Sequence, residues 1–365
     1  MSNSTSLRIA VIAGDGIGPE VVGTSLEVLK ATAAANDFVY ETTDFPFSAK
    51  HFLESGHILD DDDVAKLREF DAILLGAVGG LPNDPRLAGG VIEKGILLKL
   101  RFDLDQYINL RPVQLYPGID TPLKDKTSEH IDFICVRENT EDLYCGLGGI
   151  VRKGTDQEVA NQTMVATRFG AERCIRYAFE LARTRPRKHL TLVHKTNVLN
   201  FAGDTWHRTF EDVAQDYSDV ETGYHHVDAC CMFMVAKPEV YDTIVVPNMF
   251  GDIITDLGAA IAGGMGIASS GNLNPDGTAP SMFEPVHGSA PDIAGQNVAN
   301  PIATIDSLGL LLRETGRIKE NAAAIKCGEQ IGAAVKKVTP KFAGKSLDRS
   351  GFGTNEIGQM VVEAL

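Results

Sequence analysis

Short apolar runs alternate with longer amphipathic stretches along this chain. Leu7–Ala13 (LRIAVIA) is largely apolar and is followed by the glycine turn of GDGIGPE and by a helical pattern that starts near Pro19. The same strand-then-loop arrangement recurs at DAILLGAVG (71–79), HIDFICVREN (130–139), HLTLVHKTN (189–197) and YDTIVVPNMFGD (241–252), with helical stretches between several of them. Alternation of apolar strands with helical stretches argues for an α/β protein with much parallel sheet. No internal repeat, low-complexity tract or Pro/Ser-rich linker interrupts the pattern. The acidic run Asp60–Asp63 reads as a helix N-terminus, where carboxylates meet the positive end of the helix dipole.

Composition narrows the partners. With 365 residues the chain is long enough for two lobes and a sizeable buried core. A formal net charge of -15 argues against a nucleic acid or an anionic membrane as partner. No apolar run approaches a bilayer-spanning length, and the opening MSNSTSLRIAVIAGDG lacks the charged-then-apolar plan of a secretory signal, so a cytoplasmic location is expected. The six cysteines, at 135, 145, 174, 230, 231 and 327, show no CxxC and no companion His spacing; they read as inert thiols in a reducing compartment.

Chemistry concentrates in a few stretches. In NMFGDIITDLGAAIAGGMG (248–266) the apolar spacing is helical, which places Asp252 and Asp256 on one face, where they repel. Either water screens the pair on a solvated face or a hard divalent cation compensates it. Asp228 in YHHVDACC is a third candidate metal ligand, whereas its neighbours His225 and His226 read as structural because Mg²⁺ prefers oxygen. Arg101, Arg111 and Arg137 are natural bidentate partners for carboxylates, and Lys195 lies just past a strand, where α/β proteins gather active residues. Gly14, Gly16 and Gly18 invite the dinucleotide fingerprint, but the third glycine comes one place early, and a tight strand-to-helix turn is the better reading. FEPVHGSAPDIAGQNVANP (283–301) is too irregular for any regular element and is rich enough in polar groups to bind a nucleotide.

Taken together, GDGIGPE, NLRPV, RENTEDLY, VHKTN, NMFGDIITDL and FEPVHGSAPDIAGQNVANP resemble, in unbroken order from about residue 7 to the final helix, the metal-dependent β-decarboxylating dehydrogenases. These act on isopropylmalate, isocitrate, homoisocitrate, D-malate and tartrate. The resemblance implies a two-lobe α/β fold that is not a standard Rossmann fold. It places a large lobe at 1–106 and 263–365, carrying the nucleotide-binding loop, and a small lobe at 107–262, carrying the metal ligands and the dimer interface. It also implies a homodimer whose active-site cleft takes side chains from the partner subunit. By position, Asp252 and Asp256 match the Mg²⁺ or Mn²⁺ ligands of one subunit and Asp228 the ligand from the other. Arg101, Arg111 and Arg137 match the arginines that hold a malate-type dicarboxylate, and Tyr144 and Lys195 match the acid/base pair. Glu284 and the loop residues His287, Gly288, Ser289, Ala290 and Asn300 match the adenosine site. Asp292 and Ile293 follow the NAD-type pattern, since a carboxylate repels a 2′-phosphate.

The group on C3 of the substrate would meet the helix before Arg101. There Leu97 and Leu98 stand where isocitrate enzymes place Ser and Asn. Two leucines desolvate a charge without pairing it, so an apolar branch is favoured. That points to 3-isopropylmalate, with D-malate, tartrate or another 3-substituted malate as the alternative; isocitrate or homoisocitrate and a non-catalytic regulatory subunit rank lower, the last because Tyr144, Lys195, Asp228, Asp252 and Asp256 are all present.

Overall fold

A computed structural model describes residues 6–80, 84–343 and 351–365. Part of the opening stretch read above, residues 1–5, lies outside the described residues. The strands are β1 (Leu7–Gly14), β2 (Tyr40–Asp44), β3 (Ala72–Ala77), β4 (Ile108–Gln114), β5 (Asp132–Glu138), β6 (Gly148–Val151), β7 (Val159–Gln162), β8 (His189–His194), β9 (Glu221–His226), β10 (Thr243–Val246), β11 (Ser269–Leu273) and β12 (Ser281–Pro285). The chain divides into two units, each made of more than one segment.

The first unit comprises the described residues of Met1–Gln106, Gln114–Ser128 and Ala259–Leu365. Its strands run in the order β2-β1-β3-β12-β11, parallel except for the β11–β12 pair. All six residues of β3 are buried, as an apolar run without alternation requires. The helix Gly18–Ala35 starts with Pro19 in its first turn, where the missing N–H costs nothing. The helix Ile302–Ile318 is buried along most of its length, and Ser307 Oγ donates to the Glu284 carbonyl of β12 at 2.9 Å. The segment 114–128, which the resemblance placed with the small lobe, groups here with the terminal segments. The reason is local: Thr121 Oγ1 donates to the Ile261 carbonyl at 2.6 Å, and Gly118 lies so near Pro340 that a Cβ would come 2.4 Å from its Cα.

The second unit comprises Tyr107–Val113 and Glu129–Gly258. Its strand order is β4-β5-β10-β8-β9, with β5, β10, β8 and β9 parallel, and β6 and β7 form a separate antiparallel pair. The helix Asn248–Ile261 buries Gly251, Ile254, Thr255, Gly258 and Ala259, the spacing of one helical face. Truncating the fully buried Ile254 to Ala would cost about 2–5 kcal/mol. Asp252 and Asp256 lie off that face, as the apolar spacing predicts. Among the described residues no helix is long and apolar enough to cross a membrane. All six cysteines are free thiols; burial pushes Cys135 and Cys174 well above their usual pKa and Cys230 up to about 12, so these three stay protonated and unreactive.

Candidate functional site

In the second unit a group of charged side chains gathers where β5 ends and the helix Asn248–Ile261 begins. Arg137, near the end of β5, is 1% exposed. Its Nε donates to the carbonyl and to Oδ1 of Asn248 at 2.9 and 3.0 Å, and its Nη1 donates to Asp252 Oδ1 at 2.6 Å. Nη2 is buried with no partner. The close seat of the guanidinium depends on a glycine, because a Cβ on Gly251 would come 2.4 Å from Arg137 Cγ. Tyr144 lies beside the same guanidinium, its ring centroid 5.2 Å from Arg137 Cζ, and its hydroxyl donates to Asp252 Oδ2 at 2.8 Å.

The two aspartates that repel on paper respond differently. Burial opposes ionisation of Asp252, but Arg137, the Tyr144 hydroxyl and Arg111 outweigh it and hold the carboxyl below its ordinary pKa. Asp256 is more exposed and shows no hydrogen bond to either arginine or to Tyr144: partial desolvation first and the Asp252 charge second push its pKa up, against the weaker pull of Arg111 and Arg137. The repulsion is therefore compensated on one carboxylate and only partly offset on the other. Tyr144 is raised too, chiefly by burial, with Arg137 pulling the other way. Arg111 on β4 is buried, and its Nε donates to Asn109 Oδ1 at 2.8 Å.

Elsewhere in this unit Lys195 Nζ donates to Asp228 Oδ1 at 2.7 Å, and that hydrogen bond, before the plain charge attraction, lowers the Asp228 pKa. Asp228, Asp252 and Asp256 of one chain do not come together as a three-carboxylate group. Among the described residues the one set of three such side chains with ligand atoms within 4.8 Å of one another is His57, Asp60 and Asp63, in the first unit. Its carboxylates already serve as a helix cap: Asp60 accepts the Asp63 N–H, Asp63 accepts the Asp60 N–H, and Lys66 and His57 bond Asp63. His225 and His226 are structural, bonded through Nδ1 to the hydroxyls of Tyr241 and Tyr224.

The remaining sequence candidates are in the first unit. Arg101 is buried and its Nη2 donates to Glu284 Oε1 at 3.1 Å, which also accepts from Asn272 Nδ2 at 2.8 Å. Glu284 stands on β12 rather than in the irregular segment, and its carboxylate orients an arginine. Leu97 and Leu98 lie in a wide π-helical turn, Glu93–Leu98, that leads into the helix of Arg101; both are half-buried, and Leu97 packs on the core around Ile96 and Leu100.

The loop after β12 is seated on the first glycine turn. Ile17 N–H donates to the Ser289 carbonyl at 2.8 Å, and a Cβ on Gly16, whose φ is +58°, would come 1.8 Å from that oxygen. The glycine run thus serves loop–loop contact, in keeping with a strand-to-helix turn. Ala290 and Ile293 pack on Ile17, Val21 and Ala299, while Gly288 and Asp292 are exposed. His287 Nδ1 donates to the Gly288 carbonyl at 3.0 Å, so Nε2 is an acceptor; it is buried without a partner, and burial lowers the ring's pKa and keeps it neutral. Asn300 Oδ1 accepts the Ile302 N–H at 3.0 Å, leaving its Nδ2 buried without a partner.

Asn248, Asn109 and Gly251, which position the arginines, were missed by sequence reasoning. A glycine inside a helical pattern, one residue before a candidate ligand, was the available signal.

Comparison with known proteins bears on this arrangement. The family described as isocitrate/isopropylmalate dehydrogenase matches residues 8–361. A 3-isopropylmalate dehydrogenase of Clavibacter michiganensis subsp. michiganensis is 53% identical over 360 residues, covering 99% of this chain and 98% of the relative. One from Corynebacterium glutamicum (strain ATCC 13032) is 49% identical, covering 98% and 99%. Among solved structures, the isocitrate dehydrogenase of Methylococcus capsulatus superposes with a TM-score of 0.84 at 32% identity, covering 98% of this chain and 99% of that one.

Proposed function

The chain belongs to the isocitrate/isopropylmalate dehydrogenase family, and on that premise we propose that it is a metal-dependent, NAD-linked enzyme that oxidatively decarboxylates 3-isopropylmalate to 2-oxoisocaproate in cytoplasmic leucine biosynthesis. The observation that carries the reading is Arg137: a buried guanidinium with two nitrogens anchored and the third, Nη2, left bare is a receptor for an anionic oxygen. Arg111 is buried in the same unit, and Arg101, buried in the first, is the third arginine that the family resemblance assigns to the dicarboxylate.

The residues present fit both implied groups. Asp256 is a carboxylate whose pKa is raised by partial burial first and by its neighbour Asp252 second, and all three proposed metal ligands offer oxygen, the donor that Mg²⁺ and Mn²⁺ prefer. Asp252 and Asp256 of one subunit and Asp228 of the other would hold the ion. In the loop, a bare acceptor on His287 and a bare donor on Asn300 are the two kinds of group that an adenine edge, itself donor and acceptor, can satisfy. Ser289 and Ala290 provide backbone there, and the exposed Asp292 suits ribose hydroxyls and disfavours a 2′-phosphate. When bound, the cation supplies Lewis-acid stabilisation of charge on oxygen and NAD⁺ accepts the hydride.

The chain's own groups then divide the proton work. Lys195 Nζ, lent by the partner subunit, takes the proton of the 2-hydroxyl, and the Tyr144 hydroxyl returns one to carbon after CO₂ has left. The arginines orient the carboxylates, and Leu97 and Leu98 accept the apolar branch. The shared site requires a homodimer. In support of one, Met232, Phe233 and Val235 on the helix Val227–Ala236 and Ile253 on Asn248–Ile261 are apolar side chains at 36–72% exposure within one unit.

The test is NADH formation with Mn²⁺ across 3-isopropylmalate, D-malate, tartrate and isocitrate. A preference for isopropylmalate supports the reading. A preference for isocitrate would remove the two-leucine argument, and no turnover with any of the four would point to a ligand-binding member of the fold.

A further inference from the structure

The peptide that carries Lys195 begins where β8 stops. His194 is the last residue of that strand, paired with His226 on β9, so the Lys195 N–H is the first donor past the ladder. The His194 ring meets it: Nδ1 accepts the Lys195 N–H at 2.8 Å. An imidazole that accepts at Nδ1 carries its proton on Nε2 and is neutral. The ring is held in place, edge-on to Phe250 with centroids 5.8 Å apart and 6.1 Å from Trp206. Opposite it, Gly203 leaves the space it needs, since a Cβ there would come 3.2 Å from His194 Nδ1 and 2.9 Å from Thr196 Cα.

The flanking backbone is fixed as tightly. The Tyr224 hydroxyl accepts the Thr196 N–H at 3.2 Å and is within 2.8 Å of Thr196 Oγ1 and 2.9 Å of His226 Nδ1. The Lys195 carbonyl accepts from the Val198 and Leu199 N–H groups at 3.1 and 2.9 Å. A lysine has a flexible four-carbon stem, so the root from which it projects decides where its amine spends its time. Displacement of a reacting group by ~1 Å can cost on the order of a hundredfold in rate.

We propose that His194 is the positioning residue for Lys195: a neutral acceptor, locked by Phe250, Trp206 and Gly203, that fixes the peptide from which the amine reaches the substrate proton. This deepens, and rests on, the reading of Lys195 as a proton carrier. Burial holds the ring down to about pH 4, which keeps it in this form throughout the working range. The acidic groups that share a small cavity with the ring are Glu138, Glu141 and Asp142.

Two substitutions and one spectrum test it. His194→Asn places an amide oxygen near the position of Nδ1, whereas His194→Leu fills the space with no acceptor. In the full dimer with Mn²⁺ and NAD⁺, the Leu variant should lose about 30- to 100-fold in kcat with substrate KM changed less than about threefold, and the Asn variant should stay within about fivefold of wild type. In the unsubstituted protein, ¹⁵N-histidine spectra should show the His194 ring, assigned by its loss in the Asn variant, neutral and protonated on Nε2 from pH 5.5 to 8.5. A Leu variant with wild-type kcat, equal impairment of both variants, or a ring protonated on Nδ1 or titrating in that range would overturn the proposal. If the Leu variant does not fold, the Asn variant and the spectrum still decide. Lys195→Met in the same assay separates the two layers: full activity there strikes the Lys195 reading itself, while an inactive Met variant beside a fully active Leu variant strikes His194 alone.

Discussion

The arginine–aspartate group of the second unit and the loop 287–300 of the first are prepared in opposite ways. In the former the groups carry formal charge, and the buried Arg137 is already paired with Asp252. In the latter the groups are neutral, and two of them, His287 Nε2 and Asn300 Nδ2, are buried with nothing to bond. The difference follows from what burial costs. A neutral donor or acceptor left bare costs about 1–3 kcal/mol, which a fold can carry, whereas an unpaired buried charge costs several times more. A site for a neutral ring can therefore be kept open, while a site for ions must hold its own counter-charges until the ligand replaces them. Arg137 Nη2 is the intermediate case, a bare N–H pair on a charge whose other nitrogens are anchored.

The largest effect is expected at Asp252, the counter-charge of Arg137. Asp252→Asn keeps the volume and an acceptor for Arg137 and Tyr144 but removes the charge, so turnover with Mn²⁺ should fall about 10³-fold while the circular dichroism spectrum is unchanged. Mixed with Lys195→Met after joint refolding, it should recover up to about a quarter of wild-type activity, because half the dimers would then own one intact shared site. Full activity in Asp252→Asn alone would take Asp252 out of the metal site. No recovery in the mixture would mean that each subunit works with its own Lys195.

Much of this was legible in the sequence because it depends on local pattern. Apolar runs placed β1, β3, β5, β8 and β10, and the helical spacing of 248–261 put both aspartates off the buried face. The acidic run at Asp60 does cap a helix. What escaped depends on contacts between distant residues. Arg137 and Asn248 are 111 positions apart, and nothing local announces that pairing. Glu284 looked like part of an irregular loop until its ladder to β11 and its bond to Arg101, 183 positions away, were seen. His194 looked like the end of a strand, and its use of Nδ1 is a matter of ring orientation that no spacing encodes.

The next effect in size is at Glu138, a buried carboxylate compensated by peptides and a hydroxyl instead of a cation. It accepts from Thr140 N–H, Thr140 Oγ1 and Glu141 N–H at 2.7–2.8 Å, yet burial outweighs these and pushes its pKa up to about 7. Because the folded state holds this proton more tightly than the unfolded chain, the associated stability is complete below about pH 4.5 and is lost as pH rises through 7, up to about 3 kcal/mol. His194, lowered to about 4 by burial, acts in the other direction: its contribution is present above pH 6.5 and is lost as pH falls through 4. In the wild type the two partly cancel between pH 4.5 and 6.5. Urea denaturation of Glu138→Gln should therefore show stability rising steadily from pH 4 to 6.5 and then level; a decline toward pH 7 like that of the wild type would show that Glu138 is ionised in the fold.

The neutral site offers a smaller effect. His287→Leu removes a bare acceptor and retains apolar bulk, so the KM for NAD⁺ should rise about tenfold while stability changes by less than about 1 kcal/mol. Stopped-flow nucleotide binding and urea midpoints measured side by side check this. A large loss of stability with unchanged NAD⁺ binding would mean that the ring is a structural wedge.

The smallest effect concerns the acidic group His57, Asp60 and Asp63, whose candidate ligand atoms lie within 4.8 Å of one another. Its electrostatics differ from those at Asp252. Burial opposes the Asp63 charge, but His57, the Asp60 N–H and Lys66 more than offset it and lower the pKa, so the carboxylate is stabilised without a cation. Asp60 Oδ1 in turn accepts the Asp63 N–H at 3.0 Å, one of the donors a helix start leaves open. A cation here would have to displace these partners and would gain little in exchange. Asp60→Ala should therefore cost about 1 kcal/mol in urea denaturation and leave the Mn²⁺ binding isotherm unchanged, whereas Asp252→Asn should lose Mn²⁺ and also some stability, because the buried Arg137 then lacks its counter-charge. Weaker Mn²⁺ binding in the Asp60 variant would assign the ion to the wrong unit and require the arginine–aspartate group to be read again as an anion site alone.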